Sequence, residues 1–357
     1  MTGVLFAIAS LLSAAPPTVS PDRPTVIVVV GAEGEAGYGK DFATWADRWV
    51  QAAQRGNANV VRIGRDSSEL KSPGLKSGAS AEGAAKEDSD KQRLKSAIES
   101  ELISDHPAQP LWLILIGHGT FDGREAKFNL SGPDVSDEEL TQWLQPCKRP
   151  LAVVNCASAS APFLTRLSAE GRVIITATRA GNEINVARFG DHLSLTIADP
   201  SADLDKDGQT SLLEAFLAAS HRVAEFYAQQ GRLQTEHALL DDNGDKLGIG
   251  ADFFAGLRAM RAARDGAPLD GPRSRQWNLV LSPAEQAMSA ERRAKRDELE
   301  LAIESLRQKK ATMDEANYYG QLEPLLLELA KLYASSNAEP PGTPGEEREK
   351  AKSLSHD

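Results

Sequence analysis

Two apolar runs decide the fold of this chain: Leu111-Trp112-Leu113-Ile114-Leu115-Ile116-Gly117-His118-Gly119 and Leu151-Ala152-Val153-Val154-Asn155-Cys156. Each is short, unbroken and bounded by polar residues or glycine, which is the pattern of a strand buried on both faces. Open α/β sheets built from such strands place their ligands just past the strands' carboxyl ends. His118 and Cys156 stand at two of those ends. A thiol brought beside an imidazole is a nucleophile beside its base. The pair points to cysteine hydrolase chemistry.

Working outward, Thr25–Val30 reads as another buried strand. It runs into a glycine-rich turn and then a helix from about Asp41 to Gln54, with Phe42, Trp45, Ala46 and Trp49 at helical spacing. Asn59–Ile63 closes a right-handed βαβ unit. Helices are expected over Asp90–Ser104, Ser136–Leu144 and Pro162–Ser168, and a fifth strand over Arg172–Thr176. Ser136 with Glu139 forms a capping-box pattern. The alternation gives an α/β fold with a mostly parallel, doubly wound sheet and helices on both faces. Residues 66–88 are rich in Ser, Gly, Ala and Lys and read as a flexible loop inside a domain spanning 21–282.

Past Ser282 the character changes. Pro283–Lys310 and Met313–Ala334 read as charged amphipathic helices around a tight turn, a C-terminal helical hairpin over 283–335. Leu299, Leu301, Ile303 and Leu306 are expected to face Leu322, Leu325, Leu326 and Leu329. The hairpin either packs on the domain or binds a protein partner. Residues 336–357 are rich in Pro, Glu and Lys and read as disordered.

The formal net charge is −11 with no long basic run, which argues against a nucleic-acid partner. Residues 1–20 carry no charged side chain, and the apolar stretch Val4–Leu12 precedes Ser13-Ala14-Ala15. This reads as a signal peptide and implies export to the periplasm or the extracellular space. No other segment is apolar enough for an integral membrane span. The two cysteines are Cys147 and Cys156. A strand between them sets them roughly 15–20 Å apart, too far for a disulfide, so both are expected free.

A nucleophilic cysteine needs its thiolate, and a helix N-terminus favours that charge. Ser158, Ser160 and Pro162 are helix-start signals just after Cys156. The N–H groups of Gly119 and Cys156 are candidates for an oxyanion hole, with His118 handling protons.

At these residues the chain resembles the legumain-like cysteine peptidases of the caspase-like clan. His118-Gly119-Thr120 matches their His-Gly strand end, and Cys156-Ala157-Ser158-Ala159-Ser160 matches the pattern Cys-x-Ser-Gly-Ser except at its glycine. Ala177-Thr178-Arg179-Ala180-Gly181 looks like the segment lining the legumain specificity pocket. The resemblance covers roughly residues 25–190 and implies a caspase-like fold and peptide-bond hydrolysis by a His118–Cys156 dyad. Two departures stand out. Val154 occupies the position two before the nucleophile, where the family carries an acid, and the stretch ending in Lys40 lacks the family's Asn and Arg. Cleavage after Asn is therefore not implied. Lys40 or Arg179 would instead favour an acidic side chain of the substrate.

Asp203-Leu204-Asp205-Lys206-Asp207-Gly208-Gln209-Thr210-Ser211-Leu212-Leu213-Glu214 fits the calcium-loop template. Oxygen donors fall at positions one, three, five and nine (Asp203, Asp205, Asp207, Ser211), with Gln209 at seven, glycine at six and glutamate at twelve. A structural Ca2+ is expected there. Asp241-Asp242-Asn243-Gly244-Asp245-Lys246 echoes the pattern incompletely, with Lys at six and no glutamate at twelve, and reads as a loop, with a second cation as the lesser alternative; nearby His237 reads as structural. Two functions are carried forward. One is an exported cysteine endopeptidase acting on a peptide or protein substrate. The other is a non-catalytic scaffold of the same fold that binds a protein partner through the hairpin.

Overall fold

Element order follows the alternation read above: β1 (Thr25–Val30), α1 (Tyr38–Arg55), β2 (Asn59–Ile63), α2 (Asp90–Ile103) and β3 (Leu111–Ile116). Three short strands come next, β4 (Gly119–Phe121), β5 (Ala126–Phe128) and β6 (Val135–Ser136), then α3 (Asp137–Leu144), β7 (Leu151–Asn155), α4 (Ala161–Leu167) and β8 (Arg172–Thr176). The chain continues through α5 (Phe189–Thr196), α6 (Leu212–Gln229) and β9 (Leu239–Asp241), and ends in α7 (Pro283–Ala287), α8 (Ala290–Lys309) and α9 (Glu315–Ser336). This computed structural model describes residues 23–35, 37–65, 89–103 and 109–336. The expected signal peptide, the loop 66–88 and the tail beyond 336 lie outside the described residues.

The central sheet has six strands in the order β2-β1-β3-β7-β8-β9. The first five are parallel, and β9 runs antiparallel to β8 at the edge. β1, β3 and β7 are buried along their whole length because helices cover both faces, which is why they read as unbroken apolar runs. Side chains alternate between the faces. Val28, Ile114 and Val154 join Phe42 and Trp49 of α1 with Phe189 of α5 and Phe216 of α6. Ile27, Leu113 and Val153 join Leu94 of α2, Leu140 of α3 and Phe163 of α4. The sheet is therefore doubly wound, with helices on both faces.

Ser136 caps α3 as its spacing required: its hydroxyl accepts the Glu139 N–H at 3.1 Å, and Glu139 accepts the Ser136 N–H at 3.0 Å. Helix α5 and two further features went unread in the sequence. The strands β4-β5-β6 form a separate antiparallel sheet, each too short to show period-two alternation. The antiparallel edge strand β9 spans only Leu239–Asp241. At the C-terminus, α8 buries Leu299, Ile303 and Leu306, while Leu326 and Leu327 of α9 are exposed. The hairpin forms, but α9 contributes much less to it than the leucine pairing implied. Among the described residues, no helix is long and apolar enough to cross a membrane.

Trp112 ties three parts of one layer together. Its ring centroid lies 4.9 Å from Trp277 and 6.4 Å from Trp49 on α1. Truncation there leaves a cavity the sheet cannot close. Trp112→Ala is expected to lower stability by about 3–5 kcal/mol, read from the urea midpoint of the whole chain at an unchanged slope.

Candidate functional site

His118 and Cys156 do follow the ends of the adjacent parallel strands β3 and β7, as expected. His118 Nε2 lies 3.2 Å from the Glu33 carbonyl, to which it donates. Its ring packs against Tyr38 and Phe42, with centroids 5.2 and 5.0 Å away. Cys156 is 1% exposed and belongs to the apolar layer under α1 and α5. The close neighbour is Gly190, where a Cβ would come within 2.8 Å of Cys156 Cβ and 3.1 Å of the Trp45 ring. No hydrogen bond joins the thiol to His118 among the described residues.

Pleat parity explains the placement. The Cys156 N–H still donates to the Leu115 carbonyl at 2.8 Å, so the residue continues the ladder. Its side chain then falls on the face of Ala152 and Val154, away from α4, whose Phe163 and Leu164 pack on the other face. The dipole of that seven-residue helix does not serve the thiol. Burial first, then the charge of Glu236, pushes the Cys156 thiol up to about 12. The direction is opposite to the lowering expected from a helix start.

The oxyanion hole is corrected on the same grounds. One donor, the Cys156 N–H, is spent on Leu115. The other, the Gly119 N–H, donates to Ser158 Oγ at 3.2 Å, and that hydroxyl donates back to the Gly119 carbonyl at 3.1 Å. Gly119 must be glycine for this approach, since a Cβ would lie 2.3 Å from the Ser158 carbonyl oxygen. Ser158 thus acts as a latch between the two strand ends, a role hidden in the sequence because serine before a helix reads as a cap. Ala159 takes a φ of 52°, in the left-handed region, at the place where the legumain pattern has glycine.

The two proposed substrate-binding cations are not brought together. Lys40 is exposed on the first turn of α1. The Arg179 side chain is 60% exposed and pairs with Glu183 at 3.3 Å. It lines an open cleft of about 580 Å³ with Arg124, Arg166 and Lys246, a cleft Lys40 does not reach. Glu183 also bonds His237 Nδ1 at 2.7 Å, consistent with a structural role for that histidine. Glu236, which the sequence did not single out, accepts the N–H groups of Arg188 and Phe189 at the start of α5 and the Tyr227 hydroxyl at 3.2 Å.

The acidic loop does converge. Asp203, Asp205 and Glu214 bring carboxylate oxygens within 4.8 Å of one another. Gly208 turns at φ 88°, and Asp203 accepts the N–H groups of Lys206 and Gly208 at 2.6 and 3.1 Å. Glu214 closes a capping box with Ser211 at the head of α6. Asp207 is pushed above the usual carboxylate range by its burial. Gln209 and Ser211 are engaged elsewhere: Gln209 Oε1 accepts the Ser282 N–H at 3.2 Å, and the Ser211 hydroxyl donates to Glu214 at 2.8 Å. The donor set is all oxygen, which suits a hard cation such as calcium. Asp203, Asp205, Asp207 and Glu214 would hold it.

No family model matches this chain, and no curated protein matches it. Among solved structures, it is similar to the Drosophila initiator caspase Dronc at 10% identity and a TM-score of 0.38, covering 66% of this chain and 85% of that one. It is also similar to caspase-1 from Spodoptera frugiperda at 11% identity and a TM-score of 0.37, covering 67% of this chain and 94% of that one.

Both cysteines are free, and only Cys147 is partly exposed. A thiol-directed reagent at pH 8 is expected to titrate one thiol in the native protein and two in denaturant. Cys147→Ser should remove the native reaction. Rapid native labelling of Cys156 would show that its thiol is accessible.

Proposed function

We propose that this chain is a non-catalytic scaffold with the sheet architecture of the caspase-like peptidases, bracing a surface for a protein partner. One observation carries the reading: the Cys156 thiol is buried, and no hydrogen bond joins it to His118 among the described residues. Around it, the Gly119 amide is occupied by Ser158, and His118 is held by Glu33, Tyr38 and Phe42. The backbone N–H of Cys156 is likewise spent on the Leu115 carbonyl. Calcium at Asp203, Asp205, Asp207 and Glu214 belongs to this reading as a clamp on the connection between α5 and α6.

The partner surface in this reading is the outer face of α9. Leu327 is 54% exposed and Tyr319 is 48% exposed, so the hairpin leaves part of its apolar surface uncovered. The competing function is peptide hydrolysis through a His118–Cys156 dyad, supported by the presence of both residues and Gly119. It requires the thiol to leave its place beside Trp45 and Gly190 and the Ser158–Gly119 latch to open.

The purified chain, incubated with a peptide library with and without calcium, is expected to cleave nothing that Cys156→Ala or His118→Ala does not. Hydrolysis lost in both variants would reject the scaffold reading in favour of the dyad. For the hairpin, Leu327→Glu should leave folding stability within about 0.5 kcal/mol of wild type in a denaturant titration. A larger loss would mean that this face is already used inside the chain.

A further inference from the structure

The loop that follows β9 departs from the calcium template twice: Lys246 stands at position six, and Asp252 at position twelve is exposed and pairs with Arg261. The fold compensates for both. Gly244 and Lys246 take φ values of 82° and 70°. Those are the left-handed positions four and six that Lys206 and Gly208 occupy in the first loop, at 63° and 88°. Lysine thus makes the turn expected of glycine. The internal bonds repeat as well. Asp241 Oδ1 accepts the Gly244 N–H at 2.9 Å, as Asp203 accepts that of Lys206. Asp245 Oδ1 accepts the Leu247 N–H at 2.9 Å, as Asp207 accepts that of Gln209.

A buried carboxylate comes from elsewhere in the chain. Asp270 Oδ1 accepts the N–H groups of Asp242 and Asn243 at 2.9 and 3.3 Å, which seats its carboxylate against the loop. Asp242 is fully occupied, accepting from Gly271 and Ser274 at 2.9 and 2.7 Å, and so fastens the two segments together.

Three oxygens are left over. Asp241 Oδ2, Asp245 Oδ2 and Asp270 Oδ2 are buried with no hydrogen-bond partner, and Asp241 and Asp270 are each 1% exposed. The Ser168 hydroxyl lies near Asp241 but does not reach Oδ2 in bonding geometry. Arg273 acts on Asp242, and none of Asp241, Asp242, Asp245 or Asp270 forms an ion pair among the described residues. Buried carboxylates are paired, bound to metal or neutralised by a proton, because their desolvation as anions is otherwise uncompensated.

We propose that the loop from Asp241 to Leu247, closed by Asp270, is a second cation site of the calcium class, with Asp241, Asn243, Asp245 and Asp270 as oxygen donors. Among the described residues, only the first loop already holds three carboxylate oxygens within 4.8 Å of one another. Filling the second loop therefore draws its carboxylates inward. The ion joins the end of β9 to the segment carrying Asp270. It also braces the turn before β8, where Ser168 accepts the Lys246 N–H at 3.0 Å.

The test uses the full chain after dialysis against chelator, titrated with calcium in a calorimeter. The background is Asp203→Ala, which disables the first loop. This variant is expected to keep one equivalent of calcium and to melt higher with the ion than in chelator. Adding Asp245→Asn, or separately Asn243→Ala, is expected to weaken that binding by roughly tenfold or more. Melting in chelator, compared with the Asp203→Ala parent, shows whether each double variant folds. An Asp203→Ala protein that binds no calcium at millimolar concentration overturns the proposal. So does unchanged affinity in a folded double variant. If wild type binds one equivalent that survives Asp203→Ala, the first site fails and the second stands.

Discussion

The 2.8 Å hydrogen bond from the Cys156 N–H to the Leu115 carbonyl is the constraint from which the rest of the site follows. It extends the β3–β7 ladder one residue past the strand. A residue inside a ladder has no choice of side, because successive side chains alternate. Cys156 must share a face with Ala152 and Val154, and that face is covered by α1 and α5. The thiol is packed before any question of chemistry arises. His118, at the neighbouring strand end, is left to bond Glu33 and pack against α1.

The turn beyond Cys156 completes the arrangement. Asn155 Oδ1 accepts the Ala157 N–H at 3.1 Å, and Ala159 crosses into the left-handed region. That path delivers the Ser158 hydroxyl to the backbone of Gly119, joining the two strand ends through a polar bridge. The same residue types can serve hydrolysis or static packing. The difference lies in which atoms are left free, and here the N–H groups of Gly119 and Cys156 are engaged.

The two acidic loops show the opposite relation. The first has all its carboxylates within one twelve-residue stretch, so its spacing announced it, and the capping box at Ser211 and Glu214 falls where the template requires. The second turns in the same way but borrows Asp270 from a later segment. A template of fixed spacing cannot see a ligand supplied across the fold. Burial and the charges of Asp242, Asp241 and Asp245 raise the Asp270 carboxyl to about 8, a measure of how closely the fold has crowded them.

By itself the sequence determined the strands β1, β2, β3, β7 and β8, most helix spans, the parallel order they imply and the first acidic loop. These rest on local signals: unbroken apolar runs, helical spacing, caps and short-range ligand spacing. The short strands β4, β5 and β6, the antiparallel edge β9 and the exposure of α9 were beyond it, since each depends on what lies across from it. Only the tertiary structure decided the state of the candidate site. Whether Cys156 is a nucleophile turns on one step of pleat parity, on Gly190 and Trp45 packed near it, and on Ser158 reaching Gly119 first. Those are long-range contacts, and neither residue type nor spacing encodes them.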